Sequence, residues 1–526
     1  MIQFPSLAFT AALHEGLVAI STLVSSGDGK ALKAIEKILS THVDFSFDPA
    51  SEEFVFLVET ARTKALLVHN FDVKKAGFTD LLMLADTGSL DYKRFSFFIQ
   101  LLLNYLNPKL NPSFYPNGTF EKGLTALLMS TGACDLPHYQ KDWPFRLGET
   151  IATTEGYVIF ENEFLQLLCY PAKNKVAKEI PVFIIPSWIN KYYIFDLSKN
   201  NSYIHWLNSN DITVYCISWV NPDRTFFDRS FSDYICLGIH RAVEKALSHA
   251  DVLSLNFVGY CIGGVALTVY AGWLAKQERE LISSLTFLST PFDFEKLDGL
   301  RLFISEDQID SIEDDIINEG LLNGNKMQRI FALLRANDVL IQAVIDQVYL
   351  EKMPKPLDFL FWNADTTHVP GKLHLDYIRD VFLKNALLLK SKSIAGLQVD
   401  IDAITCPVFI VGTKKDHIVS WRSCFSAVHI FPHVTFCLGG SGHVAGIINP
   451  PAQEKYGYQT REIPTKNEDE WLSGATQHTG SWWTYWHAWV RPNLGKDCFK
   501  TEIILEEVIE RAPGRYAFKQ AASCVK

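Results

Sequence analysis

The stretch Leu253-Ser-Leu-Asn-Phe-Val-Gly-Tyr-Cys-Ile-Gly-Gly264 decides the fold. Leu253 to Gly259 is a short apolar run, and the residues from Ile262 to Glu278 stay apolar long enough for a helix, so the segment reads as strand, tight turn and helix. The turn, Gly259-Tyr260-Cys261-Ile262-Gly263, has the G-x-S-x-G pattern with sulfur in place of the hydroxyl oxygen. Glycine is needed on each side because the central residue sits in a strained conformation, where larger neighbours would collide with the strand and helix being joined. Cys261 is thus expected at the carboxyl end of a strand and at a helix N-terminus, where a thiol beside an imidazole ionises more readily and the thiolate is the nucleophile. The amide of Ile262 would face an oxyanion forming there. The same pattern also suits a plain βα turn with a buried thiol, so the rest of the chain has to separate the two readings.

Outward from this turn, short buried-strand runs alternate with helical stretches. Pro181 to Ile185, Ile212 to Ser218 and Leu281 to Leu288 read as strands, and Ser232 to His249 as a helix. Such alternation predicts βαβ units and an α/β fold with a mostly parallel, doubly wound sheet. Gly156 to Phe160 and Phe164 to Tyr170, separated by Glu161-Asn162-Glu163, predict a hairpin in front of it. Two more strands, Pro407 to Val411 and His433 to Leu438, follow a long interval with helical candidates at Phe303 to Ile317, Lys326 to Leu334 and Val339 to Leu350. That interval, about 291–405, is read as an inserted helical cap. Residues 1–142 read as a helical N-terminal domain, with apolar periodicity in Phe54 to Val68 and Phe95 to Leu106, and 143–526 as the catalytic domain.

In an α/β-hydrolase fold an acid and a histidine follow the nucleophile, each in a loop after a late strand. Asp416 follows the strand ending near Gly412, and His443 follows Phe436-Cys-Leu438 through Gly439-Gly-Ser-Gly442. A lone loop aspartate is usually just solvated, and a lone histidine usually structural. With the right order and strand context, Cys261, Asp416 and His443 read as a triad in which His443 is the general base and Asp416 orients it. His417 adjoins Asp416 and competes for the base role. A second oxyanion donor belongs in the loop after an earlier strand, and Pro186-Ser-Trp-Ile-Asn190 holds that place, with the amide near Trp188 or Ile189 as candidate. Asn190 and Tyr260 complete the candidates for supporting or substrate contacts. Nothing in this set calls for a metal or a prosthetic group.

The composition narrows the function classes. The chain has 526 residues and a net charge of −10, which argues against nucleic acid as a partner. Its aromatic content of 13% is high and suggests an apolar ligand or surface. Ten cysteines are scattered without a CxxC pair, as expected of reduced thiols in a cytoplasmic protein. The apolar start, Phe4 to Val24, is broken by His14 and Glu15 and lacks a basic leader, so neither a signal peptide nor a membrane span is expected. Trp482, Trp483, Trp486 and Trp489 fall at the spacing of a core helix, although they could instead line an apolar channel.

Taken together, these residues resemble one family, the poly(3-hydroxyalkanoate) synthases, which make bacterial storage polyester. The resemblance rests on Phe145 to Thr154, Pro186 to Leu197, Ile217 to Pro222, Gly259 to Gly264, Leu334 to Asp338, Trp362 to Thr367, Asp416 to Trp421, Gly439 to Pro451, Gly480 to Trp483 and Pro492 to Lys496. It implies an α/β-hydrolase fold, with Cys261 as acylated nucleophile, Asp416 as catalytic aspartate and His443 as catalytic histidine. It also implies (R)-3-hydroxyacyl-CoA as substrate, CoA as product and no separate cofactor. Chain growth would proceed by repeated acyl transfer onto a growing polyester, in a homodimer at the surface of cytoplasmic polyester granules. In the family the aspartate is often assigned to activating the substrate's hydroxyl, and the residues leave that open against simple orientation of His443.

The proline- and tryptophan-bearing N-terminal segments of single-subunit (class I) synthases are not found in residues 1–142, although the length favours that class. Ser420 stands where the family usually has proline. A cysteine hydrolase of the same fold and a non-catalytic granule-surface protein are the alternative readings.

Overall fold

A computed structural model describes residues 143–301, 304, 306, 309–324, 327, 356–462, 467–499 and 505–519. The chain divides into two compact units: Met1–Lys141 with Leu302–Ile312 and Arg329–Lys355, and Asp142–Arg301 with Glu313–Gln328 and Pro356–Lys526. The helical N-terminal region read at 1–142, the helices read at 326–334 and 339–350 (residue 327 apart), and the Leu334 to Asp338 segment lie outside the described residues.

The second unit is organised by one sheet of eleven strands. In chain order they are β1 (Tyr157–Glu161), β2 (Leu165–Tyr170), β3 (Val182–Ile185), β4 (Val214–Trp219), β5 (Leu255–Tyr260), β6 (Ile282–Leu288), β7 (Val408–Thr413), β8 (Val434–Gly439), β9 (Tyr458–Thr460), β10 (Thr476–His478) and β11 (Glu510–Arg511). Their order across the sheet is β10-β9-β8-β7-β6-β5-β3-β4-β2-β1-β11. The central run β4-β3-β5-β6-β7-β8 is parallel. Its strands β3, β4, β5 and β7 are buried along their whole length, which is why they read as continuous apolar runs rather than alternating ones. The hairpin β1–β2 and the short strands β9, β10 and β11 add antiparallel margins.

The topology places a crevice. From β3 the chain moves to β4 on one side and then crosses to β5 on the other, so the winding reverses at β3. In open α/β sheets such a reversal opens a crevice at the strands' carboxyl ends. Because β3, β5, β6, β7 and β8 run parallel, the residues that follow them all emerge at the same edge.

Three helices matter for that edge. α1 (His240–Ala250) continues a helical run that starts with a capping box between Ser230 and Asp233 and ends on Asp251 in the left-handed conformation. α2 (Ile262–Lys276) follows β5 directly and is buried on nearly every side. α3 (Trp482–Val490) opens with Ser481 accepting from the Trp483 amide. Between β6 and β7 the described parts of the insertion include helices Ile309–Glu319, Asp358–Ala364 and Gly371–Asp376, the last running on to Phe382.

Candidate active site

Cys261 caps the N-terminus of α2 with φ 52° and ψ −122°, a conformation that non-glycine residues rarely adopt. Strain of this kind costs on the order of 1–3 kcal/mol and persists only where the surroundings impose it. Here they do. The Cys261 amide donates to Leu288 O at 2.9 Å, and the Cys261 carbonyl accepts from Gly264 N at 3.0 Å. A Cβ on Gly259 would lie 2.6 Å from Gly264 Cα, one on Gly263 2.4 Å from Ile185 O, and one on Gly264 2.0 Å from Thr290 Oγ1. Strand β5, helix α2, the end of β3 and the residues after β6 therefore meet too closely for side chains. Ile262 takes the first helical position, where an N–H has no intrahelical acceptor and is available to a ligand.

His443 and Asp416 come from the loops after β8 and β7. Nδ1 of His443 lies 2.7 Å from Oδ2 of Asp416, whose side chain is completely buried. The same oxygen accepts from Thr413 Oγ1 at 2.9 Å, and Oδ1 accepts from the amides of Ile418 and Val419, each at 2.9 Å. Burial works to raise the Asp416 pKa, but His443 and the amides of Val419 and Ile418 overcome it and hold the carboxyl below its usual range. With Nδ1 committed to Asp416, the ring's other nitrogen is left for Cys261, which lies close enough to act on the charge of His443. Burial lowers the imidazole's pKa, whereas Asp416 and Cys261 raise it more, to about 10.

The remaining candidates are placed as follows. The Tyr260 ring lies 5.2 Å from that of His443, and its hydroxyl reaches His443 O at 3.4 Å. His417 is half-buried in the Asp416 loop. The Ile189 amide is directed to Ser187 Oγ at 3.3 Å, a long bond that a better acceptor can displace. Trp188 is buried among Trp219, Phe231, Tyr234 and Tyr377, and its carbonyl accepts from Thr367 Oγ1 at 2.9 Å. Asn190 forms an isolated bridge with Thr366.

These last contacts show what Trp362 to Thr367 does. Besides Thr366 and Thr367, Trp362 Nε1 donates to Lys191 O at 2.7 Å and Asp365 accepts from the Tyr193 hydroxyl at 2.8 Å. The segment is a brace for the Pro186 to Leu197 loop.

Thr413 and Tyr377 were not singled out from the sequence. Thr413 stands at the end of β7, three residues before Asp416, and that spacing was a usable signal. Tyr377 packs on Trp188, and burial, with a smaller contribution from nearby Cys261, raises its pKa, but nothing local in the insertion announces it. Ser420, in the place where proline was expected, caps helix Trp421–Phe425 by accepting from Arg422 N at 3.3 Å. The tryptophans read as core or channel are core: Trp482, Trp483 and Trp486 are fully buried against Tyr203, while Trp489 lies half-buried against Phe409.

A parallel sheet with a winding reversal, a cysteine on the strand-to-helix turn, and an Asp–His pair on the next strand ends define an α/β-hydrolase fold. Residues 181–450 match the family model described as alpha/beta hydrolase fold, and residues 92–207 match "Poly-beta-hydroxybutyrate polymerase (PhaC) N-terminus". The chain is 36% identical to the poly(3-hydroxyalkanoate) polymerase of Methylorubrum extorquens, over 70% of this chain and 59% of that protein. It is 33% identical to poly(3-hydroxyalkanoate) polymerase subunit PhaC of Rhizobium meliloti (strain 1021), over 78% of this chain and 70% of that one. With the corresponding subunit of Cupriavidus necator the identity is 35%, over 72% and 66%. The chain belongs to the poly(3-hydroxyalkanoate) polymerase family. Among the described residues, no helix is long and apolar enough to cross a membrane.

Proposed function

We propose that this chain polymerises (R)-3-hydroxyacyl-CoA, of short acyl length such as 3-hydroxybutyryl-CoA, into polyester with release of CoA. The observation that carries the reading is His443 bonded to the buried Asp416 carboxylate, with Cys261 on the strand-to-helix turn close enough to act on its charge. The Cys261 proton passes to His443, and the thiolate attacks the thioester carbonyl. The oxyanion that forms is met by the Ile262 amide, with Ile189 as second donor once it releases Ser187. The carbon–sulfur bond to CoA then breaks, and CoA leaves with the proton from His443. Next, the hydroxyl of a second acyl-CoA gives its proton to His443 and attacks the Cys261 thioester. The ester bond forms, the acyl–sulfur bond to Cys261 breaks, and the proton returns from His443 to the leaving thiolate, so that Cys261 can attack the CoA thioester of the lengthened chain and release CoA again.

Sulfur suits this sequence because one thioester is exchanged for another of similar energy before the acyl group passes to oxygen. Water has to be kept out, since it would compete for the acyl group. Trp188 and Tyr377 beside the turn supply apolar surface for that purpose. The reading needs no metal or prosthetic group, because CoA arrives with the substrate. We place the working enzyme as a homodimer in the cytoplasm, at the surface of the polyester granule.

The test supplies (R)-3-hydroxybutyryl-CoA, and in parallel its eight-carbon counterpart, and follows CoA release together with polymer. Polymer accumulating in step with CoA supports the proposal, and faster turnover of the shorter substrate supports the stated chain length. Free hydroxy acid with no polymer would instead identify a cysteine hydrolase of the same fold. Cys261→Ala should abolish CoA release, by about 10⁴-fold or more, in a protein that still folds. Survival of turnover in that variant overturns the nucleophile.

A further inference from the structure

Three buried indoles on α3 have three different acceptors. Trp482 Nε1 donates to Gly446 O at 2.8 Å and Trp483 Nε1 to Ile447 O at 2.9 Å. Trp486 Nε1 instead donates to Thr286 Oγ1, in β6, at 2.9 Å. All three rings have 0% exposure, so they contribute alike to packing. Only the first two touch the turn that presents His443.

That turn needs holding from outside. It contains Gly439, Gly440, Gly442 and Gly446, residues that carry the largest backbone entropy to be lost on folding. On one side it is tied to the Asp416 loop, with Lys414 N on Gly439 O at 2.8 Å and Lys415 N on Ser441 O at 2.9 Å. Its own closure is Gly446 N to Gly442 O at 2.7 Å and Ile448 N to Val444 O at 2.8 Å. Gly446 is pressed so tightly on its neighbours that a Cβ there would lie 2.5 Å from Thr413 Cγ2. Thr413 in turn holds the Asp416 oxygen that faces His443. A closed path therefore runs from the Trp482 indole through Gly446 and Thr413 to Asp416 and back to His443.

We propose that Trp482 and Trp483 are positioning residues for His443. Their indole N–H groups fix the carbonyls of Gly446 and Ile447, in the segment whose amides close the turn onto Gly442 and Val444, and so keep the imidazole aligned between Asp416 and Cys261. Without them the Gly446 carbonyl loses its indole donor and the Ile447 carbonyl keeps only the Asn449 amide, 3.0 Å away, so the turn relaxes toward other partners. This inference rests on the reading of His443 as the base, and the experiment separates the two.

Trp482→Phe, Trp483→Phe and Trp486→Phe are made singly in the full chain. Each loses one indole N–H and the same part of the ring's bulk, and Trp486→Phe is the control because its bond goes to the sheet. One readout is kcat and KM for CoA release. The other is the pH profile of Cys261 alkylation by iodoacetamide, followed by mass spectrometry on the Cys261 peptide, which needs no substrate. All three variants are expected to lose similar thermal stability. Trp482→Phe and Trp483→Phe should also lose roughly ten- to a hundredfold in kcat at similar KM, and change the pH dependence of Cys261 alkylation where Trp486→Phe leaves it as in wild type. If Trp482→Phe does not fold, Trp483→Phe carries the same comparison on the next carbonyl. Kinetics and alkylation profiles identical to those of Trp486→Phe overturn the proposal. A wild-type protein that releases no CoA, but whose alkylation profile still shifts in these two variants, overturns the polymerase reading and supports the positioning role.

Discussion

Oδ2 of Asp416 sits 2.7 Å from Nδ1 of His443, joining the loops at the ends of two neighbouring parallel strands. The carboxylate is saturated with donors while its side chain is fully buried, which fixes both its charge and its direction. The tautomer of His443 is set from behind, and the free ring nitrogen is left for sulfur.

Asp416→Asn tests that arrangement. The amides of Ile418 and Val419 both donate to Oδ1, so the asparagine must keep its oxygen there and turn its NH2 toward His443. Nδ1 then has to accept, the proton moves to the other nitrogen, and the ring can no longer take a proton from Cys261. CoA release should fall about 10⁴-fold with the fold intact. A loss below tenfold would contradict the assigned geometry.

The stability of the site should depend on pH in a defined direction. Burial pulls the His443 pKa down, but Asp416 and Cys261 push it to about 10 in the folded protein. In the unfolded chain it lies near its ordinary value of about 6.5. A raised pKa stabilises fully below the unfolded value, and that contribution is lost as pH climbs toward the folded one. The melting-temperature gap between wild type and His443→Gln should be widest near pH 6 and close toward pH 10. A gap that widens with pH would show the sign to be wrong.

Gly263→Ala should damage the nucleophile turn through backbone rather than side-chain contacts. The new Cβ would meet Ile185 O at 2.4 Å and Pro186 O at 2.6 Å, neither of which can rotate away. A loss of roughly 1–3 kcal/mol is expected on chemical denaturation, with CoA release reduced further because the Pro186 to Asn190 loop is displaced. Unchanged stability would mean that β3 and α2 are less closely apposed than described.

Ser420→Pro should be almost silent. Ser420 has φ −49°, near the range proline imposes, and its capping bond to Arg422 N is long at 3.3 Å. The lost cap and the reduced freedom of the unfolded chain oppose each other, so stability should move by less than about 1 kcal/mol in thermal melts. A larger loss would give the Ser420 hydroxyl a structural weight its geometry does not suggest.

Which parts of this fold were readable in advance follows from how local their causes are. Strands β3 to β8, Cys261, Asp416 and His443 each sit in a short apolar run followed by glycine or a polar turn, a pattern complete within about ten residues. Strand β11 has two residues and exists because Glu510 and Arg511 meet Val158 and Tyr157, far away in the sequence. Strands β9 and β10 have three residues each and partly exposed faces, so no alternation marks them. The tryptophan spacing showed a helix and a core, but the acceptors of the indole protons come from loops and strands that spacing does not describe. The Ile189 amide pointing to Ser187 was likewise invisible, since hydroxyl capping within a loop depends on backbone angles rather than residue order.

Residues 510–519 complete a margin begun at the opposite end of the described chain. β11 lies alongside β1, Tyr516 N donates to Gln166 Oε1 across a separation of 350 residues, and the buried Lys191 ammonium is held by the carbonyls of Tyr516 and Lys519. At synthesis rates of about 5–20 residues per second, the partners of β1 and Lys191 emerge tens of seconds after them. Throughout that interval the nascent chain carries an unpaired strand edge and an uncapped ammonium beside the Trp188 loop, the state in which strands are most prone to pair with the wrong neighbour. The finished protein hides this margin, but a ribosome-bound one exposes it, and chaperone protection would be needed there earlier than at the nucleophile turn.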